Sequence, residues 1–172
     1  MQINTLLHNN HFELFDLQPN YTIDQSKLHS QYLILQKKYH PDKYINYNEE
    51  VRSSILTLSS KINQGHNTLK SPLLRGIYLL SLHDINLDLS INTQTSPDFL
   101  ITQMEFYEKI ESLKMDNSID KINNTLLLKT ELSTLINNTI ININTAFIDK
   151  NYPFIENALK ELSFYEKLST NF

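Results

Sequence analysis

Between Asp24 and Leu69 the apolar positions fall into two runs of helical spacing separated by a short polar gap. In the first run Leu28, Tyr32, Leu35 and Tyr39 recur on one side, while Lys27, Gln31, Lys37 and Lys38 take other faces, and Asp24 stands where an N-cap belongs. The second run, Val51, Ile55, Leu58, Ile62 and Leu69, steps by 4, 3, 4 and 7. Two long antiparallel helices are expected, the first with a basic side. Between them lies Tyr39-His40-Pro41-Asp42-Lys43. Pro41 fixes its own torsion and pushes His40 out of helical geometry, so the first helix must end near Tyr39 or His40. An exposed imidazole and an exposed carboxylate then flank a stiff ring.

The flanks extend this pattern. After a polar N-terminus, His11 to Leu17 reads as a short helix closed by Gln18-Pro19-Asn20. Ser71-Pro72 ends the second long helix, and Leu73 to Leu82 follows as an apolar helical segment resembling a joint between two halves. Residues 90–97 are polar and turn-rich, with Ser96-Pro97-Asp98 providing a helix start. Three further helices are expected, from Asp98, from Asn117-Ser118, and, after Lys150-Asn151-Tyr152-Pro153, from Phe154. Ile136 to Ile143 is β-branched, yet Ile122, Leu126, Ile136, Ile140, Ile143 and Phe147 share one helical side, and periodicity is taken over propensity. The fold class is all-α: an N-terminal helical hairpin domain over residues 1–75, a connecting segment over 76–97, and a C-terminal three-helix bundle over 98–172.

In the helix from Asp98, at about 100° per residue, Phe99, Phe106, Ile110 and Leu113 cluster on the side that would fill a bundle core. Leu100, Ile101, Met104 and Glu108 point the opposite way, with Glu105 at their flank. In the last helix Ile155, Ala158, Leu159, Leu162 and Tyr165 share the inward side, and Phe164 falls about half a turn away. An outer helix has no intramolecular use for a second apolar stripe edged by carboxylates, so the stripe marks a partner site.

Composition narrows the chemistry. The net charge of −4 over 172 residues argues against a general nucleic-acid binder. With no cysteine, disulfides, thiolate zinc sites and thiolate-held clusters are excluded for this chain. Two glycines cannot build a phosphate-binding loop or a dinucleotide fingerprint, so any ATP involved is bound by another protein. No leader pattern and no apolar run near the ~20 residues of a membrane span is present, which makes a cytoplasmic protein with no membrane partner the expectation. His8 and His11 share i, i+3 spacing in a polar segment that makes a poor metal site, and no metal or cofactor is expected. His40 and Asp42 could form an acid/base pair in a helical hydrolase, but a convex loop tip supplies neither a pocket nor a third group, and no enzymatic activity is expected.

His40-Pro41-Asp42 between a basic helix and an antiparallel partner resembles the J domain of DnaJ-type co-chaperones. Phe12-Glu13-Leu14-Phe15-Asp16-Leu17, Leu35 to Lys43, Ile62-Asn63-Gln64, Thr68 to Arg75 and Tyr78 to His83 are similar to the HscB family, the J proteins of iron-sulfur cluster assembly, and the likeness runs over almost the whole chain. The resemblance implies that Lys37, Lys38, His40, Pro41, Asp42 and Lys43 dock on an HscA-type ATPase chaperone and stimulate its ATP hydrolysis, with Tyr39 a core residue. It further implies that Leu100, Ile101, Met104, Glu105, Glu108 and Phe164 contact the IscU-type scaffold protein. Two positions depart from the family: Gly65 stands where Ala is common, which suggests a locally looser helix, and Ser112 stands where a carboxylate is common. Absence of the zinc-binding cysteine pairs of some eukaryotic relatives favours the bacterial-type form. The alternative reading is a J-domain co-chaperone serving another client.

Overall fold

The computed structural model describes residues 2–89, 96–115 and 119–170, and eight α-helices and no strand are found among them. The chain divides into two compact units, Met1–Asp84 and Ile85–Phe172.

The first unit is organised on one long helix. Helices α3 (Gln25–Lys38) and α4 (Glu49–Lys70) form the expected hairpin. Asp24 Oδ1 accepts the Lys27 amide at 2.9 Å and Asn48 Oδ1 the Val51 amide at 2.9 Å, so each helix starts on a side chain that satisfies an otherwise orphaned donor. Leu28, Leu35 and Tyr39 are buried on one side of the seam and Ile55, Leu58, Ile62 and Leu69 on the other. Residues read above as a polar N-terminus instead form helix α1 (Gln2–His8). Its end is held by Lys61 Nζ, which donates to the Leu7 carbonyl at 2.5 Å and also to the Asn9 carbonyl.

Helix α2 (His11–Leu14) is three residues shorter than expected. Asn10 and Glu13 close a capping box, each side chain accepting the other's backbone amide, at 3.0 and 2.8 Å. Asp16 then turns the chain with φ 53°, which ends the helix and leaves its carboxylate 2.9 Å from Lys27. Phe12 and Phe15 are fully buried. Gly65 has a spatial role: a Cβ there would lie 3.0 Å from His11 Nδ1 and 3.1 Å from Phe15 Cε2. Helix α4 runs unbroken through this position, and the glycine permits close packing of α2 against it.

Ser71 closes α4 and caps α5 (Pro72–Ser81), its hydroxyl accepting the Leu74 amide at 3.2 Å. Residues 76–84, read above as the start of the connecting segment, lie in the first compact unit. Arg75 is buried there with Nη1 donating to the Leu69 carbonyl at 2.6 Å and its guanidinium over the Tyr21 ring. Tyr78 accepts the His11 amide at 3.0 Å.

In the second unit α6 (Pro97–Met115), α7 (Lys121–Ile148) and α8 (Tyr152–Ser169) make the three-helix bundle. Ser96 Oγ accepts the Phe99 amide, and Asn151 Oδ1 that of Phe154, so α8 begins two residues before the expected Phe154 with Pro153 in its first turn, where no amide is needed. The expected start at Asn117-Ser118 lies outside the described residues. The β-branched Ile136 to Ile143 stretch is helical, as its periodicity required. One part of that seam differs: Leu128, Leu132, Thr139, Ile143 and Ala146 are buried, whereas Ile122 and Leu126 are 79% and 63% exposed. The cause is length. Helix α7 has 28 residues against 18 in α8, so its first turns run past the end of their partner.

The packing of α2 against α4 can be tested directly. Gly65→Ala gains about 1 kcal/mol of helix propensity, but Phe15 is fully buried and cannot yield, and overpacking of this kind costs about 1 to 3 kcal/mol. Net destabilisation is expected in chemical denaturation, and in a double-mutant cycle His11→Ala should relieve only the part of it that the imidazole causes, leaving the Phe15 contact; a more stable single variant would contradict the packing argument.

The half-buried His11 imidazole lies against Tyr78 with ring centroids 4.4 Å apart, and burial, reinforced by Lys61, pushes its pKa below the ordinary value. The folded unit therefore prefers neutral imidazole: the contribution is present above the ordinary imidazole range and is lost as pH falls through it toward the lowered folded value. His66 is shifted the same way by burial and by Lys70. Stability measured by urea titration should drop between about pH 7.5 and 5.5, and drop less in His11→Asn. Equal slopes would show that His11 is not the titrating group.

Candidate functional site

The first candidate surface is the turn that joins α3 to α4. The Tyr39 amide donates to the Leu35 carbonyl at 2.8 Å as the last bond of α3, and His40 is extended (φ −65°, ψ 129°), as the following proline requires. Pro41–Tyr44 forms a single 3₁₀ turn closed by the Lys43 amide on the His40 carbonyl. His40 Nδ1 accepts the Asp42 amide at 3.3 Å and lies 3.6 Å from Asp42 Oδ2, while the side chains of His40 and Asp42 are 56% and 80% exposed.

Two neighbours brace this turn. Lys43 Nζ donates to the Lys37 carbonyl at 2.5 Å and Tyr44 donates its hydroxyl to the Lys38 carbonyl, so both cap carbonyls that the end of α3 leaves without helical partners. Lys43 thus turns its ammonium toward the backbone, whereas Lys37 and Lys38 are exposed on α3, Lys38 with its ammonium over the Tyr39 ring. The tip is not wholly convex. Pro41, Asp42, Ile45, Arg52 and Leu56 line a shallow depression of about 240 Å³. Ile45, Arg52 and Leu56 are missing from the sequence reading because only the crossing of the turn over α4 brings them beside Asp42.

The second surface is on α6. Phe99, Phe106 and Ile110 are buried in one cluster with Leu128, Leu132, Tyr165 and Leu168. On the far side Leu100, Ile101 and Met104 are 49%, 56% and 63% exposed, and Glu105 and Glu108 are exposed beside them. Phe164 is placed differently from its helical-wheel position: it is half-buried, packs against the cluster, and meets Phe99, Tyr107 and Tyr165 edge-on at 5.5, 5.8 and 5.7 Å. Tyr107, 55% exposed on the same helix as the stripe, is the α6 ring that meets Phe164 from the solvent side. Its spacing of i+7 from Leu100 and i+3 from Met104 was a signal in the sequence that went unread. Among the described residues no three His, Cys, Asp or Glu side chains converge as a metal site, and no helix is long and apolar enough to cross a membrane.

A helical hairpin whose connecting turn presents His40, Pro41 and Asp42, followed by a helical bundle, defines a J-domain co-chaperone. Residues 95–171 match the family described as the HSCB C-terminal oligomerisation domain. The co-chaperone HscB homolog of Vibrio vulnificus is 31% identical over 159 residues, 92% of each chain, and the co-chaperone HscB of Buchnera aphidicola subsp. Acyrthosiphon pisum is 35% identical over 164 residues, 92% of this chain and 90% of the relative. The solved structure of chaperone HscB from Vibrio cholerae matches with a TM-score of 0.85 at 29% identity, over 95% of this chain and 94% of that one. The chain belongs to the HscB family of co-chaperones.

The two faces of α6 predict opposite stability phenotypes. Phe106→Ala should cost about 3 to 5 kcal/mol through the cavity it leaves, while Leu100→Ala and Met104→Ala should stay within about 0.5 kcal/mol of the parent. Phe164→Ala should fall between them. Thermal melts that placed Leu100→Ala beside Phe106→Ala would make the outer stripe part of the core.

Proposed function

We propose that this chain stimulates ATP hydrolysis by an HscA-type chaperone through its α3–α4 hairpin and presents an IscU-type iron-sulfur scaffold protein to it on the outer face of α6. The chaperone surface comprises Lys37, Lys38, His40, Pro41 and Asp42, with Lys43 bracing the turn. The scaffold surface comprises Leu100, Ile101, Met104, Glu105, Glu108 and Phe164. The chain acts as an adaptor and catalyses no reaction itself. Its J domain ends near residue 75 in this reading, its scaffold-binding domain begins at 98, and it works in the cytoplasm.

The observation that carries the reading is the exposed His40-Pro41-Asp42 turn, fixed by proline and by bonds from Lys43 and Tyr44 to the end of α3. A rigid turn loses little entropy on docking, so its imidazole and carboxylate act on the partner as preset groups. Lys37 and Lys38 add a cationic approach surface that speeds encounter with an acidic partner. On α6, exposed aliphatic side chains supply apolar anchors, and Glu105 and Glu108 favour a partner with cations at the rim. A description of residues 95–171 as an oligomerisation domain agrees with a partner surface in the second unit.

His40→Gln and Asp42→Asn are expected to abolish stimulation of the purified chaperone's ATPase while the helical circular dichroism stays unchanged. Lys37→Ala with Lys38→Ala should slow association in a salt-dependent way. Leu100→Ala or Met104→Ala should weaken scaffold binding by about 1 to 2 kcal/mol, roughly tenfold, and leave ATPase stimulation without scaffold intact. Full stimulation by both His40 and Asp42 variants at saturating co-chaperone would remove the first assignment; parental scaffold affinity in both α6 variants would remove the second.

A further inference from the structure

Helices α6 and α7 leave a groove between them on the flank of the bundle. Leu168 is the last α8 residue in the core that α8 shares with Ile110 and Leu128. Farther along, α6 runs on to Met115 and α7 comes back from Lys121. Their facing sides bound a groove of about 680 Å³, with Leu113, Leu127 and Leu128 as its apolar lining and Glu105, Glu108 and Glu131 at its edges. Leu127 is 68% exposed, an unusual state for a leucine facing a helical neighbour.

Charge in the groove is one-sided. Lys109 is its cation, and both oxygens of Glu131 hold the ammonium, at 2.7 and 3.0 Å. Glu105 and Glu108 have no ion-pair partner among the described residues. An occupant therefore gains by placing an apolar side chain between Leu113 and Leu127 and a cation against Glu105 and Glu108. On the helix surface the same two carboxylates stand between this groove and the outer stripe of Leu100, Ile101 and Met104. Anything seated on the stripe has a continuous path over Glu105 and Glu108 into the groove.

We infer that the scaffold partner binds across both helices: one part covers the α6 stripe, and a segment with an apolar side chain next to a lysine or arginine enters the α6–α7 groove, with Leu127 as its anchor. This rests on the reading that the stripe binds the scaffold. It adds α7 to a surface otherwise drawn from α6 and α8, and it assigns Glu131 a positioning role: by occupying Lys109, it leaves Glu105 and Glu108 free to receive the partner's cation.

The test is isothermal titration of the full chain with a purified IscU-type scaffold protein, using Leu127→Asn, Glu131→Gln and, as control, Leu126→Asn. Leu126 is also exposed on α7 but does not line the groove. Leu127→Asn should weaken binding about tenfold and Leu126→Asn should leave it unchanged. Glu131→Gln, which frees Lys109, should weaken binding several-fold at low salt and less at high salt, a dependence that a purely structural role would not produce. Parental affinity in Leu127→Asn, alongside weakened Leu100→Ala and Met104→Ala, would overturn the groove and leave the stripe standing. Parental affinity in all of these variants would overturn both. Equal losses in Leu126→Asn and Leu127→Asn would mark a general effect on α7 and overturn the groove.

Discussion

The first unit depends on the buried stripe of α4. Ile55, Leu58, Ile62 and Leu69 face α3, the missing side chain of Gly65 admits His11 and Phe15, and Lys61 reaches the end of α1. The carbonyl of Leu69 is also the acceptor for buried Arg75. With no disulfide to close the chain, this one helix gives α1, α2, α3 and α5 a common wall. The turn before it is positioned from both sides: α3 ends where proline forbids another helical residue, and α4 begins where Asn48 supplies a cap. The placement of the turn is therefore an outcome of helix packing well away from it.

Much of this was legible in the sequence because local rules and periodicity agreed. Proline after His40, Asp24 as a cap, and apolar spacings of three and four all point to one hairpin. In Ile136 to Ile143 propensity and periodicity disagreed, and the helix formed because its neighbours bury one side. Features that depend on where a neighbour stops were not legible. Ile122 and Leu126 satisfy the helical pattern, yet α8 is too short to cover them. Helix α1 was missed since its short polar segment has little apolar periodicity and is held by Lys61, 52 residues beyond Asn9.

The candidate surfaces divide along the same line. His40, Pro41 and Asp42 could be placed from sequence because they are consecutive, and the outer stripe of α6 because a single helix carries it. Ile45, Arg52 and Leu56 come together only in three dimensions, as do Leu113 and Leu127 across the α6–α7 groove. Phe164 shows the limit of a helical wheel. Its angle on α8 points away from the bundle axis, but Phe99 and Tyr107 on α6 close over it, so it serves the core and the surface together.

The unequal pairing within the second unit has a dynamic consequence. Helices α7 and α8 pack along most of the length of α8, while α6 joins them chiefly through Phe99, Phe106 and Ile110 at one side of the cluster. The α7–α8 hairpin therefore carries most of the packing of the second unit, and α6 is its more lightly held partner. Amide protection should then be graded, deepest around Ile143 and Leu159 and shallower along α6. The helix that exposes Leu100, Ile101 and Met104 side by side is thus also the one held by the least packing in the second unit, and displacing it would leave the α7–α8 seam intact.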